Sequence, residues 1–438
     1  MFGNEYRVHV QEVIPGKSKA YRAVDVNSVQ AAVWLRERRQ AVVHAGLDIG
    51  KEFILCTLRW GVADFDRPWR VHNPHDLPRL AELLAAVGKG RQLIVALEPT
   101  GTYGDAARQA FERAGLVVHR VSPKMASDYA EVFDGVPSQH DGKDAAVVAD
   151  LAAHGKSWPW PLPQPTEAEQ ELAYQVHWMD DQRRQMMHWC GRVEGLLSRH
   201  WPEATRIVSL CSGTLLACLA KYGGPRGLAA AKDALAQVRR WGGSFLSAAK
   251  AEALVASARD TLGVAMGRWD EEHLRRYVRQ IQACREEIRA ARRRLRVLTR
   301  DHVVIQAMSR VVGIGTACVL WAELGDPSAY HCGSAYRKAM GLNLAERSSG
   351  QWQGKLSISK RGSSMVRRWL YLAALRWVRH EPVRSWYLRQ KAARRGDGKP
   401  ALVGVMRKLA LALYRVGGRG EVFDRNALYR SVMSAPPA

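Results

Sequence analysis

Residues 44–60 read HAGLDIGKEFILCTLRW, an apolar stretch in which AGLDIG and FILCTLRW are both predicted to form strands. A single acid, Asp48, lies inside the first segment, between Leu47 and Ile49. A carboxylate buried there without a partner would be strongly unfavourable. Asp48 is therefore the first candidate metal ligand of this chain.

The alternation of β-like and helical segments continues to about residue 154. Further strands are predicted at QLIVALE (92–98) and LVVHRVS (116–122), and helices at DLPRLAELLAAVG (76–88) and GDAARQAFERAG (104–115). Strands that alternate with helices favour an α/β layer with a partly parallel sheet.

Three more acids occupy places that suit a metal-binding carboxylate. Glu98 closes the run RQLIVALEPTG, and Asp141 and Asp144 form a D-x-x-D pair at the start of DGKDAAVVADLAA. Residues three apart share one face of a helix, so we expect both aspartates to face the sheet that carries Asp48 and Glu98. Two-metal phosphoryl chemistry needs several carboxylates around hard cations. The set predicts a Mg²⁺ site, with Mn²⁺ as the alternative ion.

Each of these acids also has an ordinary interpretation. The D-x-x-D pair can reflect helix capping by Asp141 and a favourable placement of Asp144 in the helix dipole. Glu98 precedes Pro99 and can be an exposed turn residue.

The charge balance indicates the partner. The 438 residues include 66 Lys and Arg against 42 Asp and Glu, a net charge of +24. Nucleic acid is the first partner to consider, with an anionic membrane surface as the competing explanation. No apolar stretch approaches the roughly 20 residues that span a bilayer, and the N-terminus lacks a signal-peptide core. We expect a cytoplasmic, nucleoid-associated protein without a membrane partner.

The seven cysteines are scattered, and none forms a C-x-x-C pair. This pattern predicts reduced, mostly buried thiols and neither a zinc ribbon nor a disulfide framework.

A Pro-rich linker, WPWPLPQPTEAE (158–169), precedes a long helical section. Thr166 and Glu169 fit a capping box at its start. Two apolar stripes follow, the first interrupted at Arg183 and the second with heptad spacing. They comprise Leu172, Val176, Met179, Met186, Cys190, Val193 and Leu197, then Leu274, Tyr277, Ile281, Cys284, Ile288, Ala291, Leu295 and Leu298. The stripes can form an antiparallel hairpin, pair between protomers, or pack on their own domain.

The C-terminal part is compact and basic. Gly313 and Gly315 in VVGIG lie between two helical segments, which resembles a helix-hairpin-helix grip on the DNA backbone, although an ordinary packing unit has the same pattern. A polar turn with Ser348 and Ser349 precedes the basic segment KRGSSMVRR. Spacing does not single out Ser349, because Ser359 and Ser363 are equally plausible nucleophiles. The candidate nucleic-acid contacts are Lys51, Lys143, Gly313, Gly315, Lys355, Lys360, Arg361, Arg367 and Arg368.

Together the two constellations resemble the transposases of the insertion sequence 110 / 1111 group. The matching segments are GLDIGK, LEPTG, HDGKDAAVVADLA, VVGIGTACVLWAELGD, GLNLAERSSG and ISKRGSSMVRRWLY. The resemblance implies an RNase H-like (RuvC-like) α/β N-terminal domain with a D-E-D-D set. It also implies a long helical coiled-coil insert and a mainly α C-terminal domain that bears a serine.

The same resemblance implies a mechanism and partners. Asp48, Glu98, Asp141 and Asp144 would hold Mg²⁺, and Ser349 would attack a DNA phosphate to form a phosphoserine link, as the other half of a composite site. The helical insert would dimerise, giving a homodimer or a dimer of dimers in which Ser349 can come from a partner subunit. A structured guide (bridge) RNA would pair with both donor and target DNA.

The expected organisation is an N-terminal extension (1–44), a catalytic domain (45–157), a helical dimerisation region (158–301), a transposase domain (302–425) and a tail (426–438). The extension and the long Trp-rich middle exceed a minimal family member. Two other functions remain open. One is a RuvC-like endonuclease that hydrolyses DNA without a covalent intermediate, and the other is a nucleic-acid-binding protein without chemistry.

Overall fold

The computed structural model describes residues 21–62, 64–99, 101–133, 140–346, 354 and 356–424. The chain divides into two compact units, Met1–Gln164 and Pro165–Ala438, called here the N-terminal and C-terminal units. Each unit has its own apolar core.

The N-terminal unit is an α/β layer. Its strands and helices are β1 Val24–Asp25, α1 Ala31–Trp34, β2 Val42–Ile49, β3 Phe53–Trp60, β4 Asp64–Phe65, β5 Trp69–His72, α2 Leu77–Gly88, β6 Gln92–Leu97, α3 Asp105–Arg113, β7 Val117–Val121, α4 Pro123–Phe133, α5 Asp141–Ala153 and β8 Ser157–Pro159.

The eight strands form one mixed sheet in the order β1-β5-β3-β2-β6-β7-β8, with β4 beside β3. Strands β2, β3 and β5 are antiparallel neighbours, whereas β6 and β7 run parallel to β2. The parallel pairs require crossover connections, which α2 and α3 provide. The predicted α/β class, the four predicted strands and the two predicted helices are confirmed.

Both ends of this unit differ from expectation. Val24–Asp25, within the predicted extension, pairs in parallel with Trp69–His72, and β2 begins at Val42, before the expected domain start. Ser157–Pro159, where the Pro-rich linker was expected to begin, pairs with β7 at the sheet edge. An edge position accommodates proline, because one side of an edge strand needs no N–H donor.

The C-terminal unit is mainly helical. Its elements are α6 Glu167–His200, α7 Ala204–Ile207, α8 Gly213–Tyr222, α9 Pro225–Ala230, α10 Ala234–Gly242, α11 Ala248–Arg259, α12 Arg268–Leu298, α13 Val303–Val312, α14 Ile314–Leu324, α15 Gly333–Ala339, β9 Leu344–Ala345, β10 Ser357–Ile358, α16 Ser364–Trp377, α17 Val383–Ala392 and α18 Gly398–Gly418. None of the described helices is long and apolar enough to cross a membrane.

Helices α6 and α12 pack against each other as an antiparallel hairpin within one chain. The Trp178 indole donates to Glu287 at 3.0 Å, and the Trp189 and Tyr277 rings stack with centroids 5.6 Å apart. The capping box at Thr166 is present as predicted. The buried face of α12 follows the predicted heptad with two differences: Val278 rather than Tyr277 is buried, and Leu298 at the end of the helix is only partly buried. The short helices α7–α11 pack against the end of the hairpin formed by residues 190–197 of α6 and residues 274–281 of α12.

A buried acid lies on α6 next to the stripe residue Met179, one turn before the interruption at Arg183. Asp180 of α6 is buried, and its carboxylate accepts hydrogen bonds from the Arg368 guanidinium at 2.7 and 2.9 Å and from the Trp369 indole at 3.0 Å. Arg368 and Trp369 belong to α16. One buried acid therefore joins the helical hairpin to the C-terminal helices.

The cysteines differ from the expectation of uniformly reduced thiols. Cys190 of α6 and Cys211 form a disulfide with a Cα–Cα distance of 6.7 Å. Of the five free cysteines, four are buried, as expected for small apolar side chains. The spacing of 21 residues gave no indication of the pairing.

We expect Asp180→Ala to lower the free energy of unfolding of the C-terminal unit by about 2–4 kcal/mol, because it leaves a guanidinium and an indole N–H without their acceptor. Asp181→Ala is the matched control, since Asp181 is about half exposed and its ion pair among the described residues is with the exposed Arg184, which also lies 3.4 Å from Asp180. Chemical denaturation monitored by tryptophan fluorescence measures the free energy of unfolding of each variant. Equal effects of the two substitutions would contradict the assigned role of Asp180.

Candidate active site

The ends of two parallel strands bring the first two acids to the same level. Strand β2 pairs with β6 so that Leu47 lies beside Leu97. The next residues along these strands are Asp48 and Glu98, and neighbouring strands are about 4.8 Å apart. The side chains of Asp48 and Glu98 therefore leave the same face of the sheet, and both are half-buried.

Helix α5 contributes the other two acids from its first turn. His140 caps this helix, and its Nδ1 accepts a hydrogen bond from the Gly142 N–H at 3.1 Å. The capping role proposed as the alternative for Asp141 is thus filled by His140. One ligand oxygen from each of Asp48, Asp141 and Asp144 lies within 4.8 Å of the other two.

The electrostatics of the cluster follow from crowding and partial burial. Burial, and then the charges of Asp144 and Asp141, raises the pKa of Asp48 to about 6. Burial, and then the charges of Asp48 and Asp144, raises the pKa of Glu98 to about 7. The pKa of Asp144 is also raised, by burial and by Asp141. Glu98 lies outside the closest group of three but shares its electrostatic field.

This donor set fits a small divalent cation. Carboxylate oxygens are the ligands that Mg²⁺ prefers, at about 2.0–2.1 Å, so opposite ligands of one ion are about 4.2 Å apart. The ligand oxygens of the cluster lie within 4.8 Å of one another, so these carboxylates would be able to hold a small divalent ion, which would supply charge neutralisation at a phosphate. A bound cation would also remove the repulsion that raises the pKa values of Asp48 and Glu98.

In the C-terminal unit, Gly313 separates α13 from α14 with φ of 80°, a conformation that favours glycine. The Arg376 guanidinium lies against this turn and donates to the Val312 carbonyl at 2.5 Å. A Cβ atom at Gly315 would be 3.4 Å from the Trp369 ring. The helix–glycine–helix arrangement is present, and its use as a DNA grip stays a prediction.

The basic segment after β10 forms a tight turn. Lys360 has φ of 55° and Gly362 has φ of 143°, where a Cβ atom would come within 2.2 Å of the Ala339 carbonyl. Arg367 braces the turn by donating to the Gly362 carbonyl at 2.7 Å. Lys360 and Arg361 are exposed. These two side chains can therefore meet a phosphate, whereas Arg367 supports the turn and Arg368 is engaged by Asp180.

Among the candidate serines, the two that are described have structural partners. Ser363 donates to Glu323 and caps α16 by accepting from the Val366 N–H. The Ser359 hydroxyl accepts from the Arg361 N–H. Ser349 and Lys355 lie outside the described residues, in the connection between the paired strands β9 and β10.

The two candidate lysines of the N-terminal unit differ in exposure. Lys51 is exposed, three residues after Asp48. Lys143 is only 1 % exposed in α5, and residues 145–152 of the same helix are buried as well. This burial keeps the Lys143 ammonium from a DNA backbone in the described structure, so Lys143 leaves the proposed contact set.

The sequence of this chain is similar to those of known proteins. A family model of the DEDD transposases of the IS110 group, described as "Transposase", matches residues 45–202. A second, described as "Transposase IS116/IS110/IS902 family", matches residues 307–389. The "Insertion element IS110 uncharacterized 43.6 kDa protein" of Streptomyces coelicolor is 21 % identical over 366 residues, covering 80 % of this chain and 88 % of that protein.

Among solved structures, RuvC of T. thermophilus in complex with a Holliday junction substrate is similar, with a TM-score of 0.22 and 17 % identity. The match covers 27 % of this chain and 99 % of that one.

The two family models together span more than half of the chain, and they define its class. It is a transposase, an enzyme that cuts and rejoins DNA. The chain belongs to the IS110 family, and the match to its DEDD model runs from the N-terminal unit through α6 of the C-terminal unit.

Sequence reasoning missed the residues that hold α5 on the sheet. Gly46 lies two positions before Asp48, and a Cβ atom there would meet the α5 backbone. Arg59 and Asp150 form a buried ion pair between β3 and α5. A glycine and an arginine inside otherwise apolar strands were the available signals, because both are unusual in a buried strand.

We expect Mg²⁺ binding to release protons at about pH 6.5 and almost none above about pH 8.5. In the ion-free protein, the pKa values of Asp48 and Glu98 are raised to about 6 and about 7, so part of the population is protonated near neutrality. The cation favours the ionised form and lowers both pKa values. Affinity should therefore fall as the pH drops below about 7. Calorimetry in two buffers of different ionisation enthalpy measures the release, and a pH-independent value of zero would contradict it.

Proposed function

We propose that this transposase cuts and rejoins DNA with a RuvC-like DEDD centre, in which Asp48, Glu98, Asp141 and Asp144 hold Mg²⁺ or Mn²⁺, and with Ser349 as the nucleophile. The carrying observation is the convergence of carboxylates from β2 and α5 within 4.8 Å in a chain of the DEDD transposase family. A bound divalent ion would supply charge neutralisation at the phosphate and at the leaving oxygen.

The proposed step conserves the energy of the phosphodiester bond. The Ser349 Oγ forms a bond to phosphorus, the bond from phosphorus to a deoxyribose oxygen breaks, and that oxygen takes up a proton while the serine hydroxyl loses one. Attack by the hydroxyl of another DNA strand reverses the step, restoring Ser349 and a phosphodiester. No nucleotide cofactor is needed, since the number of phosphoester bonds does not change.

The choice of Ser349 rests on the resemblance of the segment GLNLAERSSG to the serine-bearing segment of the IS110 group. The other two candidate serines have structural partners. The hydroxyl of Ser363 is occupied by Glu323 and by the start of α16, and Ser359 supports the turn that carries Arg361. Exposed Lys360 and Arg361 supply the positive charge that a DNA phosphate requires. Lys51 supplies the same charge near the carboxylates.

We expect the wild-type enzyme, incubated with guide RNA, Mg²⁺ and labelled DNA, to form a protein–DNA adduct that survives denaturing electrophoresis. Ser349→Ala should lower adduct formation by at least about 10³-fold, because the nucleophile is absent. Ser348→Ala is the matched control and should retain the adduct. An undiminished adduct in Ser349→Ala would refute the nucleophile, and full-rate cleavage in Ser349→Ala but not in Asp48→Ala would favour hydrolysis instead.

We further propose that a structured RNA from the element's non-coding flank guides donor and target DNA, and that the enzyme acts as a dimer or dimer of dimers. The net charge of +24 suits a protein that holds several nucleic-acid strands by their backbones. Base pairing would then read sequence, leaving the exposed basic residues to grip phosphates.

We expect the protein to bind a transcript of that flank at least about tenfold more tightly than a scrambled RNA of equal length at about 0.3 M salt. High salt suppresses the counterion-release contribution, which is common to both RNAs, so a folded-RNA preference remains visible. Filter binding over a salt series measures it. Equal affinities at every salt concentration would contradict a dedicated guide RNA.

A further inference from the structure

Three alternate residues of β2 lie in a row on the face of the sheet that α5 covers. Residues two apart on a strand share a face, so Asp48, Gly46 and His44 of β2 all point towards the same side. In the antiparallel pair of β2 and β3, Gly46 lies opposite Thr57 and His44 lies opposite Arg59. Arg59 therefore lies on the same face as Asp48, at the opposite end of the row.

Gly46 brings the α5 backbone into direct contact with the strand. A Cβ atom built at Gly46 would lie 2.1 Å from the Ala145 carbonyl oxygen and 2.3 Å from the Ala149 nitrogen. Both atoms belong to the helix backbone, so no side-chain rotation can relieve the overlap. Any side chain at residue 46 has to move the helix away from the sheet.

Beyond Gly46, a buried polar network anchors the same helix. The Asp150 carboxylate pairs with the Arg59 Nε at 2.7 Å and accepts a hydrogen bond from the Tyr129 hydroxyl of α4 at 2.6 Å. The side chains of Arg59 and Asp150 are 10 % and 8 % exposed. The hydrogen bond to Asp150, followed by burial, raises the pKa of Tyr129 to about 12, as expected for a phenol that donates to a carboxylate.

We propose that Gly46 and the Arg59–Asp150–Tyr129 network are positioning residues that set the separation between Asp48 and Asp144, and thereby select a small divalent ion over a larger one. The inference rests on the proposed metal site. Asp144 and Asp150 are separated by about 9 Å along the helix axis, since each residue rises 1.5 Å. A helix held at Ala145, Ala149 and Asp150 has little freedom at Asp144.

The size of the effect follows from coordination distances. Mg²⁺ requires oxygen ligands at about 2.0–2.1 Å in near-octahedral geometry, whereas Ca²⁺ accepts about 2.3–2.6 Å in flexible arrangements. A displacement of α5 by about 1 Å would therefore weaken Mg²⁺ more than Ca²⁺. General loss of stability would lower the folded fraction and leave the ratio of the two affinities unchanged.

The test measures Mg²⁺ and Ca²⁺ affinities of the full-length protein by calorimetry in wild type, Gly46→Ala, Asp150→Asn and Tyr129→Phe. We expect the Mg²⁺ to Ca²⁺ affinity ratio to fall about tenfold or more in Gly46→Ala and Asp150→Asn, and less in Tyr129→Phe. Gly88→Ala is the matched glycine control, because a Cβ atom there meets Leu93 at an ordinary 3.5 Å. Asp128→Asn is the charge control on α4, since Asp128 pairs only with the exposed Lys124.

Each outcome decides one point. An unchanged ratio in folded Gly46→Ala and Asp150→Asn, with tight binding retained, would overturn the positioning role. If Gly46→Ala does not fold, Asp150→Asn and Tyr129→Phe decide by the same ratio. If Asp48→Asn binds both ions as wild type does, the metal site of the proposed function fails, and this result is distinguishable from the first.

Discussion

Repulsion among carboxylates at one end of the N-terminal sheet is the constraint on which the catalytic part of the molecule depends. Asp48, Glu98, Asp141 and Asp144 would separate if their supports were free to move, and burial adds to the unfavourable energy of their charges. The sheet and α5 resist this separation through backbone contact at Gly46 and the ion pair behind it.

In the C-terminal unit, one buried acid fixes the packing of two helices. Asp180 engages a guanidinium and an indole of α16, so the register of the long hairpin is tied to the helices around Gly313. This arrangement divides the basic residues into two groups. Arg367, Arg368 and Arg376 make internal hydrogen bonds, whereas Lys360 and Arg361 remain exposed at a turn. A high count of basic residues therefore overstates the number available to nucleic acid.

The fold was predictable where local pattern and tertiary role coincide. Strands β2, β3, β6 and β7 are mainly apolar segments rich in β-branched residues and leucine, and Thr166 with Glu169 marks the start of α6. Short edge strands were not predictable, because Val24–Asp25 and Ser157–Pro159 are defined by their partners rather than by their own composition. The disulfide of Cys190 with Cys211 likewise depends on how α6 meets the following helices.

For the site, sequence alone indicated the four candidate acids and the basic segment KRGSSMVRR, and it determined the α/β class, since each has a local signature in residue type and spacing. Tertiary structure alone decided which acids converge, that His140 rather than Asp141 caps α5, and that Lys143 is buried. It also showed that Gly46, Arg59 and Asp150 all lie where α5 packs against the sheet. The physical reason is that separation, burial and charge coupling depend on residues brought together from distant parts of the chain, and no single segment encodes them.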